Sequence, residues 1–359
     1  MGGLRTLAVR TVHFVLPGGV ADPGAPSGGN RYDRLVSAGL TAAGWDVHHH
    51  AVHGGWPRPR DTERAALAEA LSGVPDGSLA LLDGLVACGV PEVVAPHAGR
   101  LRLAVLVHLP LADETGLPPA EAAALDALER ETLRVAAAVV ATSDHTARRL
   151  ARQHGLPADR THVAVPGVDP APLAPGSDSG GRLLCVAAVT PRKAQDVLLD
   201  ALATVAGPWT CELVGALDRA PEYVAGLRRK VVAPRVRFTG PLAGEALDAA
   251  YAGADLLVLP SHAETYGMVL TEALARGVPV LASDVGGVPE AVGRAPDGAV
   301  PGMLVPPGDP ATLAAALRRW LGEPELRERL RAAARARREA LPSWDATVTS
   351  IEIVLKGMR

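Results

Sequence analysis

The fold of this 359-residue chain is decided by one stretch, DLLVLPSHAETYGMVLTEALARG, which covers residues 255–277. It begins with an apolar run at 255–259, continues through a polar loop, and predicts a helix from about Met268 to Gly277. Gly267 stands where the helix begins, so backbone N–H groups and the positive end of the helix are open to an anion. The stretch therefore predicts one βα unit of a parallel sheet, with a diphosphate seat at its turn.

Two glutamates lie in this stretch, Glu264 in the loop and Glu272 about one turn into the helix. A carboxylate can accept hydrogen bonds from two neighbouring hydroxyl groups, as a ribose offers, so Glu272 is predicted beside the ribose of a nucleotide. Glu264 would then reach past the phosphates to a second group of hydroxyls. The alternative is that both glutamates only favour the start of a helix. The residues predicted to contact the diphosphate through the turn are Tyr266, Gly267, Met268 and Val269.

Outward from this stretch, short apolar runs alternate with longer Ala-, Leu- and Arg-rich helical patterns, and the alternation occurs twice. This rhythm predicts parallel sheets with helices on both faces. Residues 170–181, PAPLAPGSDSGG, are typical of a linker. We therefore predict an α/β protein with two Rossmann-like, doubly wound domains, at 1–169 and 170–341, and a final helix at 342–359 that can cross back to the first domain. Ligands of such sheets bind at the carboxyl ends of the strands, which places the site in a cleft between the domains.

The composition is that of an ordinary globular protein, with 48% hydrophobic and 21% charged residues. Lysine and arginine number 36 against 39 aspartates and glutamates, so the net charge of −3 offers no whole-chain attraction for nucleic acid. Cys88, Cys185 and Cys211 lie far apart in apolar runs and predict reduced thiols in a cytoplasmic protein, without disulfides or a zinc site. The apolar segment at 4–16 is interrupted by charges and predicts a first strand, not a signal peptide or a membrane span.

The spacing of Glu264 and Glu272 resembles the Glu-x7-Glu motif of glycosyltransferase family 4, whose members are retaining enzymes of the GT-B fold. The resemblance extends over nearly the whole chain, and the order and spacing of its short motifs carry the signal. The further motifs are SGGN at 27–30, VH at 107–108, PGVD at 166–169, TPRK at 190–193 and GMLVPPGD at 302–309. The resemblance implies a GT-B fold, in which two Rossmann-like domains face a central cleft.

Lys193 follows a predicted strand, where an ammonium group could face a diphosphate and stabilise the charge that grows on the leaving group. The residue type alone would predict exposed surface, and the resemblance assigns the phosphate role. The chain departs from the common family pattern here, because AAV at 187–189 and Lys193-Ala194 replace Gly-Arg-Leu and Lys-Gly. The phosphate-binding arginine is therefore missing at Ala188. Arg192 is the candidate for the second charge, although a neighbour in an extended segment points to the opposite side.

The first domain contributes two features to the same cleft. Gly28 and Gly29 have no Cβ, so the loop can approach a ligand or turn before a helix that starts near Asn30. The resemblance places this loop against the donor phosphate and the acceptor. His108 ends the strand predicted at 101–109, and the resemblance implies a hydrogen bond from it to a hydroxyl of the donor sugar. Without the resemblance, a glycine pair is more often a simple turn and a strand-end histidine a structural residue.

The histidines at 48–50, together with His53, at first suggest a metal site. On a strand, the first and third histidines face one side and the second the other, and no carboxylate or cysteine accompanies them at ligand spacing. We therefore predict no metal site here. The resemblance puts the loop after this strand on the acceptor side of the cleft. The candidates for choosing the acceptor are His50, His53 and Trp56.

Together these residues predict transfer of a sugar from a nucleotide diphosphate sugar to an acceptor hydroxyl, with retention at the anomeric carbon. The resemblance implies that the leaving phosphate oxygen takes the acceptor proton, so no side-chain base is expected. No cofactor or metal is expected, because the helix dipole and cations stabilise the diphosphate and no Asp-x-Asp motif stands in a suitable place. The assigned catalytic residues are Lys193, Glu264 and His108. The acceptor stays open among small molecules, glycans and lipids.

Other functions also stay open. A disaccharide phosphorylase or an NDP-sugar epimerase can share the two-lobed fold, but the epimerase lacks the Glu-x7-Glu helix and the phosphorylase would use inorganic phosphate. A non-catalytic nucleotide-sugar binding protein is favoured only by the missing arginine at Ala188. An arginine-rich helix expected at 317–338 predicts a solvated face, with peripheral contact to an anionic membrane surface as the alternative.

Overall fold

The computed structural model describes residues 10–20, 27–114, 116–231 and 235–358. These residues form two lobes, each built on a sheet of six parallel strands with helices packed on both faces. The prediction of an α/β fold with two doubly wound parallel sheets is confirmed.

The N-terminal lobe carries the first sheet. Its strands are β1 (Arg10–Pro17), β2 (Trp45–Val52), β3 (Leu79–Asp83), β4 (Arg102–Val107), β5 (Ala138–Ala141) and β6 (Thr161–Val163), in the order β2-β1-β3-β4-β5-β6. The strand expected at 4–16 lies outside the described residues at 4–9, and β1 covers the rest. The strand order reverses beside β1, and the crevice at such a reversal is where doubly wound sheets bind ligands.

The first helix of this lobe begins at the edge of that crevice. The helices that the structure describes here are α1 (Gly28–Ala42), α2 (Asp61–Ser72), α3 (Gly84–Ala87), α4 (Pro91–Val94), α5 (Pro119–Val135) and α6 (Asp144–His154). The hydroxyl of Ser27 accepts a hydrogen bond from the N–H of Asn30 at 3.0 Å and caps α1. The helix therefore begins at Gly28, two residues before the expected start.

The C-terminal lobe repeats this plan. Its strands are β7 (Arg182–Val186), β8 (Thr210–Val214), β9 (Val236–Gly240), β10 (Leu256–Leu259), β11 (Val280–Ser283) and β12 (Gly302–Val305), in the order β12-β11-β10-β7-β8-β9. Its described helices are α7 (Gln195–Leu202), α8 (Pro221–Lys230), α9 (Gly244–Ala252), α10 (Met268–Ala275), α11 (Val288–Val292), α12 (Pro310–Gly322) and α13 (Pro324–Arg337). None of the helices in the described parts of the chain has the length and apolar character needed to cross a membrane.

Aliphatic side chains on both faces of the central strands form the cores. The strand β10 is buried at every position, as a strand between two helix layers must be. Leu256 and Val258 join the core on one face of the sheet, while Leu257 and Leu259 join the core on the other. Burying each such side chain contributes about 1.5–3 kcal/mol. This packing fixes β10 and thereby the position of the loop that follows it.

The last helix, α14 (Trp344–Gly357), leaves the C-terminal lobe and packs on α1 of the N-terminal lobe. Val348 fills the space above Gly39, where a Cβ would lie 2.3 Å from Val348 Cγ2. Glu352 accepts a hydrogen bond from Trp45 Nε1 at 2.8 Å. The described chain therefore passes between the lobes twice, once at the linker and once before α14.

The helix expected at 317–338 is two helices, because Pro324 cannot donate the hydrogen bond that would continue α12 into α13. The prediction that its arginines form a solvated face is wrong for Arg327 and Arg331. Arg327 donates to two carbonyl oxygens at the end of α12, at 3.0 and 2.9 Å, and Arg331 donates to the buried Asp255 at 3.0 Å. These guanidinium groups stabilise the helix end and the start of the second sheet.

Candidate active site

A cleft of about 1020 Å³ separates the carboxyl edges of the two sheets. Ligand pockets usually enclose about 300–1,000 Å³, so this cleft is large enough for a ligand of several rings. The predicted residues that line it are Gly28, Gly29, His108, Arg192, Lys193, Glu264, Tyr266, Gly267, Met268, Val269 and Glu272. The predicted acceptor-side residues His50, His53 and Trp56 are not part of this lining.

The N-terminus of α10 opens onto the cleft. Gly267 precedes the helix with a φ of 90°, a left-handed conformation that glycine adopts without strain, and a Cβ there would lie 3.0 Å from Leu270 Cδ1. No side chain of the described residues caps this end. The first N–H groups of α10 are therefore available to an anion, whose charge the helix dipole favours.

Lys193 and Glu264 form a buried ion pair in the cleft. Lys193 Nζ bonds Glu264 Oε1, and the hydroxyl of Ser261 donates to the same oxygen at 2.9 Å. Burial lowers the pKa of Lys193 in spite of the attraction of Glu264. Burial also opposes the ionisation of Glu264, but Lys193 and Arg192 outweigh it and hold the pKa of this carboxyl below its ordinary value. The site thus offers a ligand two charges whose interactions are stronger than they would be in water.

Residues Pro191–Lys193 form a 3-10 turn and not an extended segment. Consecutive side chains in such a turn are about 120° apart, so Arg192 and Lys193 both line the cleft. The expectation that Arg192 points away from its neighbour is therefore wrong. Arg192 also donates to the carbonyl oxygen of Ala263 at 3.3 Å, and its Nε lies 3.7 Å from Glu114 Oε1 of the other lobe.

This turn ends at Ala194, which has a φ of 52° and is the one described residue other than glycine with a positive φ. The left-handed conformation costs an alanine about 1–2 kcal/mol, and glycine stands here in the common family pattern. Ala188, at the position of the missing arginine, lines the cleft, and its carbonyl oxygen accepts from Gln195 Nε2 at 3.1 Å. Both departures from the family pattern therefore lie beside the same part of the cleft.

Glu272 is bonded from both lobes and is 9% exposed. Tyr251 donates its hydroxyl to Glu272 Oε2 at 2.7 Å, while Arg31 of α1 bonds Oε1. Arg31 also donates to Asp169 Oδ2 at 2.7 Å, so one guanidinium links the two lobes. The sequence alone did not predict Arg31, whose only signal is its place one turn after the glycine pair.

A second link between the lobes places a carboxylate at a helix N-terminus. Glu290 of α11 accepts from the backbone N–H groups of Asp144 and His145, the first residues of α6, at 2.8 and 2.7 Å. The helix dipole favours an acidic group there by about 0.3–1 kcal/mol. The residue before α11 also holds the loop that carries Glu264, because Gly287 donates its N–H to the carbonyl oxygen of Glu264 at 3.1 Å.

His108 follows β4 and faces the cleft with 17% of its side chain exposed. Its Nε2 lies 2.8 Å from Asp33 Oδ1 of α1 and 3.9 Å from Asp83 Oδ2 at the end of β3. Burial alone would lower the pKa of His108, but the two carboxyl groups raise it to about 9. Burial and the neighbouring Asp33 raise the pKa of Asp83 to about 8. The sequence alone did not predict either aspartate, although Asp83 ends an apolar strand, where doubly wound sheets place functional side chains.

The glycine pair at the start of α1 lies beside His108 of the same lobe and Met268 of the opposite lobe. A Cβ on Gly29 would lie 3.2 Å from Cδ2 of His108, and one on Gly28 would lie 3.5 Å from Sδ of Met268. Tyr32 meets the imidazole edge-on, with ring centroids 5.1 Å apart. Glycine at position 29 therefore lets the start of α1 come close to the histidine, whereas a Cβ at position 28 would make only an ordinary contact with Met268.

The histidines of β2 lie on the edge strand of the first sheet. His50 Nε2 is 3.0 Å from His13 Nδ1, and the ring of His48 stacks on His13 with centroids 5.0 Å apart. Burial and the neighbouring imidazoles lower the pKa values of His13 and His50. His49 contacts Ser37 on the opposite face, as strand alternation predicts.

The other two acceptor-side candidates lie in the loop after β2. The ring of His53 covers Gly18, where a Cβ would lie 2.3 Å from His53 Nδ1. Trp56 donates its Nε1–H to the carbonyl oxygen of Val52 at 3.1 Å. A role for these residues in acceptor choice stays a prediction.

Within the described parts of the chain, two groups of acidic and histidine side chains come close enough to share a metal ion, and neither includes the histidines of β2. The groups are Asp33, Asp83 and His108, and Asp126, Glu129 and His154. In both, a histidine nitrogen already lies within hydrogen-bonding distance of a carboxylate oxygen, at 2.8 and 3.2 Å. Activity without a metal ion stays a prediction.

Both lobes match known family models. Residues 26–172 match the model described as Glycosyltransferase Family 4, and residues 180–323 match the model described as Glycosyl transferases group 1. The two matches follow each other along the chain and divide at the linker between the lobes.

The curated relatives carry the name D-inositol 3-phosphate glycosyltransferase. The protein from Jonesia denitrificans is 33% identical over 256 residues, which cover 64% of this chain and 59% of that protein. The protein from Actinosynnema mirum is 33% identical over 291 residues, which cover 73% of this chain and 66% of that protein. The matched part of the chain thus spans 59% to 66% of the length of these relatives.

Solved structures share the whole two-lobed architecture. Sucrose-phosphate synthase from Thermosynechococcus elongatus superposes with a TM-score of 0.79 at 24% identity, over 97% of this chain and 99% of that chain. HepE from Anabaena, solved in complex with UDP and glucose, superposes with a TM-score of 0.76 at 20% identity, over 97% and 100% of the two chains. The fold is GT-B, as predicted. The chain belongs to glycosyltransferase family 4, the family whose model its N-terminal lobe matches.

Proposed function

We propose that this protein transfers a sugar from a nucleotide diphosphate sugar to a hydroxyl group of an acceptor, with retention of the anomeric configuration and without a metal ion. One arrangement carries the proposal: the N-terminus of α10 and Lys193 meet in a single cleft with Glu264 and Glu272. A diphosphate needs N–H donors and cations, and sugar hydroxyls need carboxylate acceptors. The family membership supports the same reaction.

The diphosphate binds at the N-terminus of α10. The backbone N–H groups of Met268 and Val269 donate to it, and the helix dipole favours its charge. Lys193 and Arg192, on one 3-10 turn, add two positive charges. Negative charge grows on the diphosphate as its bond to the sugar breaks, so preorganised cations stabilise the transition state more than the bound donor.

The carboxylates orient the two sugars of the donor. Glu272 accepts from the ribose hydroxyls, which replace its bond to Arg31. Glu264 keeps its ion pair with Lys193 and accepts from hydroxyls of the transferred sugar. His108 donates to another hydroxyl of that sugar from the opposite lobe. The sugar is thereby held between the two walls of the cleft, with its anomeric carbon beside the diphosphate.

The reaction exchanges one bond at the anomeric carbon for another on the same face. The bond from this carbon to the diphosphate oxygen breaks, and a bond to the acceptor oxygen forms. The acceptor proton moves to the departing diphosphate oxygen, so no side-chain base is required. The lysine, the arginine and the helix dipole do the work that a divalent cation does in other transferases.

A uridine diphosphate sugar is the donor to test first. HepE, which shares the fold, was solved with UDP-glucose. The curated relatives are named for D-inositol 3-phosphate, which makes an inositol phosphate the first acceptor to test. Small-molecule, glycan and lipid acceptors follow, because the acceptor-side loops differ most between members of such a fold.

A thermal-shift screen against UDP, GDP, ADP, TDP and their sugar conjugates tests donor binding. A ligand at about 100 times its Kd stabilises the folded state by about 2.7 kcal/mol, so one base is expected to raise the Tm clearly. Lys193→Ala is expected to reduce that shift. Lys230→Ala is the matched control, because Lys230 is exposed and pairs with Asp200 on the outer surface of the same lobe.

Transfer assays with the donor so identified complete the test. We expect a product with retained anomeric configuration by NMR, formed equally well in EDTA. A Tm that responds to no nucleotide would contradict the proposal. Binding without any product would favour a non-catalytic sugar-nucleotide binding protein, and product that requires inorganic phosphate would favour a phosphorylase.

A further inference from the structure

Three side chains from three elements of the N-terminal lobe meet beside the cleft: Asp33 of α1, Asp83 of β3 and His108 after β4. Asp33 and Asp83 are 0% and 3% exposed, and one nitrogen or oxygen atom from each of the three side chains lies within 4.8 Å of the other two. His108 Nε2 lies 2.8 Å from Asp33 Oδ1, and Asp83 Oδ1 accepts the N–H of Leu85 at 2.6 Å. The arrangement is a buried pair of carboxyl groups behind one partly exposed imidazole.

Asp83 carries a proton beside Asp33 at neutral pH, because its pKa is raised to about 8. Asp33 Oδ2 is buried and has no hydrogen-bond donor among the described residues unless Asp83 carries one. Burial and the proximity of Asp33 favour that proton, since they raise the pKa of Asp83 to about 8. Two negative charges close together in a site with little water repel each other. At neutral pH Asp83 therefore adds no negative charge to the cluster.

The imidazole ring is held in one orientation and one charge state. Its Nε2 faces Asp33, so Nδ1 is the ring nitrogen left for a ligand in the cleft. Among the described residues, two further titratable groups interact with the cluster: Tyr32, which contacts the ring, and Cys88, which lies near Asp83. Burial raises the pKa of both, so they are neutral. Since the two carboxyl groups raise the pKa of His108 to about 9, the ring is an imidazolium at neutral pH.

We propose that Asp33 and Asp83 are positioning residues for the transferred sugar, acting through His108. Asp33 holds the ring by its Nε2–H, and Asp83 holds Asp33 by the proton that it carries, so that Nδ1–H of the imidazolium donates into the cleft. This inference rests on the proposed function, in which His108 bonds a sugar hydroxyl. A cationic donor binds the hydroxyl oxygen and leaves the hydroxyl hydrogen for an acceptor such as Glu264.

Replacing each aspartate by asparagine separates their roles. Asparagine resembles a protonated aspartate, so Asp83→Asn keeps a donor toward Asp33 and is expected to retain kcat within about threefold at neutral pH. Asp33→Asn removes the charge that holds the imidazolium and is expected to lower kcat by about 10- to 100-fold. The affinity for UDP alone is expected to change less than about twofold in both, because His108 contacts only the sugar.

Histidine ¹⁵N NMR of the ligand-free protein reports the ring directly, with the signal assigned by its loss in His108→Gln. His108 is expected to titrate near 9 in the unchanged chain. The midpoint is expected to fall in Asp83→Asn, because Asp83 ionises at about pH 8 and its charge then stabilises the imidazolium near pH 9. It is expected to fall further in Asp33→Asn, which removes the carboxyl group in contact with the ring. The alkaline limb of the kcat profile is expected to follow the same order.

Glu129→Gln is the matched control. Glu129 and His154 form another buried carboxylate and histidine pair in the same lobe, 3.2 Å apart and outside the cleft lining. This substitution is expected to leave kcat, its pH profile and the titration of His108 unchanged. A general loss of stability is thereby separated from an effect on the sugar.

A His108 midpoint near the ordinary 6.5 would overturn the inference, and so would an Asp83→Asn variant as slow at neutral pH as Asp33→Asn. If the unchanged chain transfers sugar and Asp33→Asn is equally fast, the positioning role fails and the proposed transferase stands. If the unchanged chain transfers no sugar, the transferase fails, while the NMR titration still decides the charge of His108. Should Asp33→Asn not fold, Asp83→Asn decides in its place: its His108 midpoint and the alkaline limb of its kcat profile are expected to fall together, and a limb that stays in place while the midpoint falls would overturn the positioning role.

Discussion

The two walls of the cleft are built in different ways. In the C-terminal wall, Glu264, Glu272 and the helix N-terminus between them belong to one βα unit. In the N-terminal wall, Asp33 and His108 come from elements 75 residues apart and meet only when β3 and β4 have paired. A wall made of one unit can be recognised as a motif, whereas a wall made of three elements exists only in the folded chain. We therefore expect the C-terminal wall to hold a ligand with residues that are close in sequence, and the N-terminal wall to hold it with a histidine whose orientation and charge depend on distant aspartates.

Glu264→Gln is expected to have the largest effect, because it removes one member of the buried pair in the C-terminal wall. Lys193 and Glu264 keep only 16% and 6% of their side-chain exposure, so the ammonium is left without a counter-charge. Breaking such a pair costs about 3–5 kcal/mol, and we expect a loss of about 3 kcal/mol in the free energy of unfolding. Urea denaturation measures it. The affinity for the intact donor should fall more than the affinity for UDP.

The control for this prediction is Asp200→Asn, which breaks the ion pair of Asp200 with Lys230 at 2.8 Å on the surface of the same lobe. The side chains of Asp200 and Lys230 are 48% and 47% exposed, and an exposed ion pair contributes about 0–1 kcal/mol to stability. Equal losses in the free energy of unfolding would mean that the buried pair in the cleft contributes no more to stability than the exposed pair. Equal effects on donor and UDP affinity would remove Glu264 from contact with the sugar.

The second prediction concerns alkaline stability, which the N-terminal wall should control. Asp83 has a pKa of about 8 in the fold and 3.8 when unfolded, so its contribution to stability is complete below the lower value and lost as the pH rises through the higher one. His108 acts in the same direction, with a contribution complete below 6.5 and lost as the pH rises through about 9. The free energy of unfolding should therefore fall between about pH 4 and pH 9, by up to about 1.4 kcal/mol per pH unit for each extra proton held, and most steeply from 6.5 to about 8, where both groups hold one.

Asp83→Asn should make that fall less steep, because one of the two protons is gone. Urea unfolding at several pH values within the window compares the slopes. Asp76→Asn serves as control, since Asp76 belongs to the same lobe and its side chain is 81% exposed. Identical slopes for Asp83→Asn and the unchanged chain would mean that Asp83 is already ionised in the fold.

The sequence predicts the features that depend on neighbouring residues, and it does not predict those that arise when distant parts of the chain come together. The two parallel sheets are predictable, because apolar runs and Gly and Pro breaks are local signals. The orientation of Arg192 cannot be predicted, because a 3-10 turn of three residues leaves no periodic pattern in the sequence. The burial of Arg327 cannot be predicted either, since Arg327 binds carbonyl oxygens that become free only because Pro324 ends α12. The partners of His108 require the pairing of strands that are distant in the chain.

Arg31→Ala tests the contact that joins the two walls. Arg31 bonds Glu272, the carboxylate proposed for the ribose, so a nucleotide has to displace the guanidinium. The side chains of this pair are 33% and 11% exposed, and such a pair contributes about 1 kcal/mol. Removing it should tighten UDP binding by about three- to tenfold, measured by titration calorimetry.

The control for the interlobe contact is Arg64→Ala, which breaks the pair of Arg64 with Glu92 outside the cleft lining. UDP binding should not respond to it. Weaker binding of UDP by Arg31→Ala would reverse the interpretation, because it would place the guanidinium in contact with the nucleotide and not in competition with it.

The smallest expected effect compares two left-handed positions within the C-terminal wall, Gly267 before α10 and Ala194 after the 3-10 turn. Ala194→Gly relieves about 1–2 kcal/mol of backbone strain, but glycine gains about 0.4–1 kcal/mol of freedom in the unfolded chain, so the net stabilisation should be about 0.5 kcal/mol. Gly267→Ala should lose about 1 kcal/mol, since it adds the same strain and a contact to Leu270 Cδ1 at 3.0 Å, while the reduced freedom of the unfolded chain offsets about 0.4–1 kcal/mol. Thermal unfolding measures the change in stability of both variants. A lower Tm for Ala194→Gly would mean that the methyl group of Ala194, which is fully buried, contributes more by packing than its conformation costs.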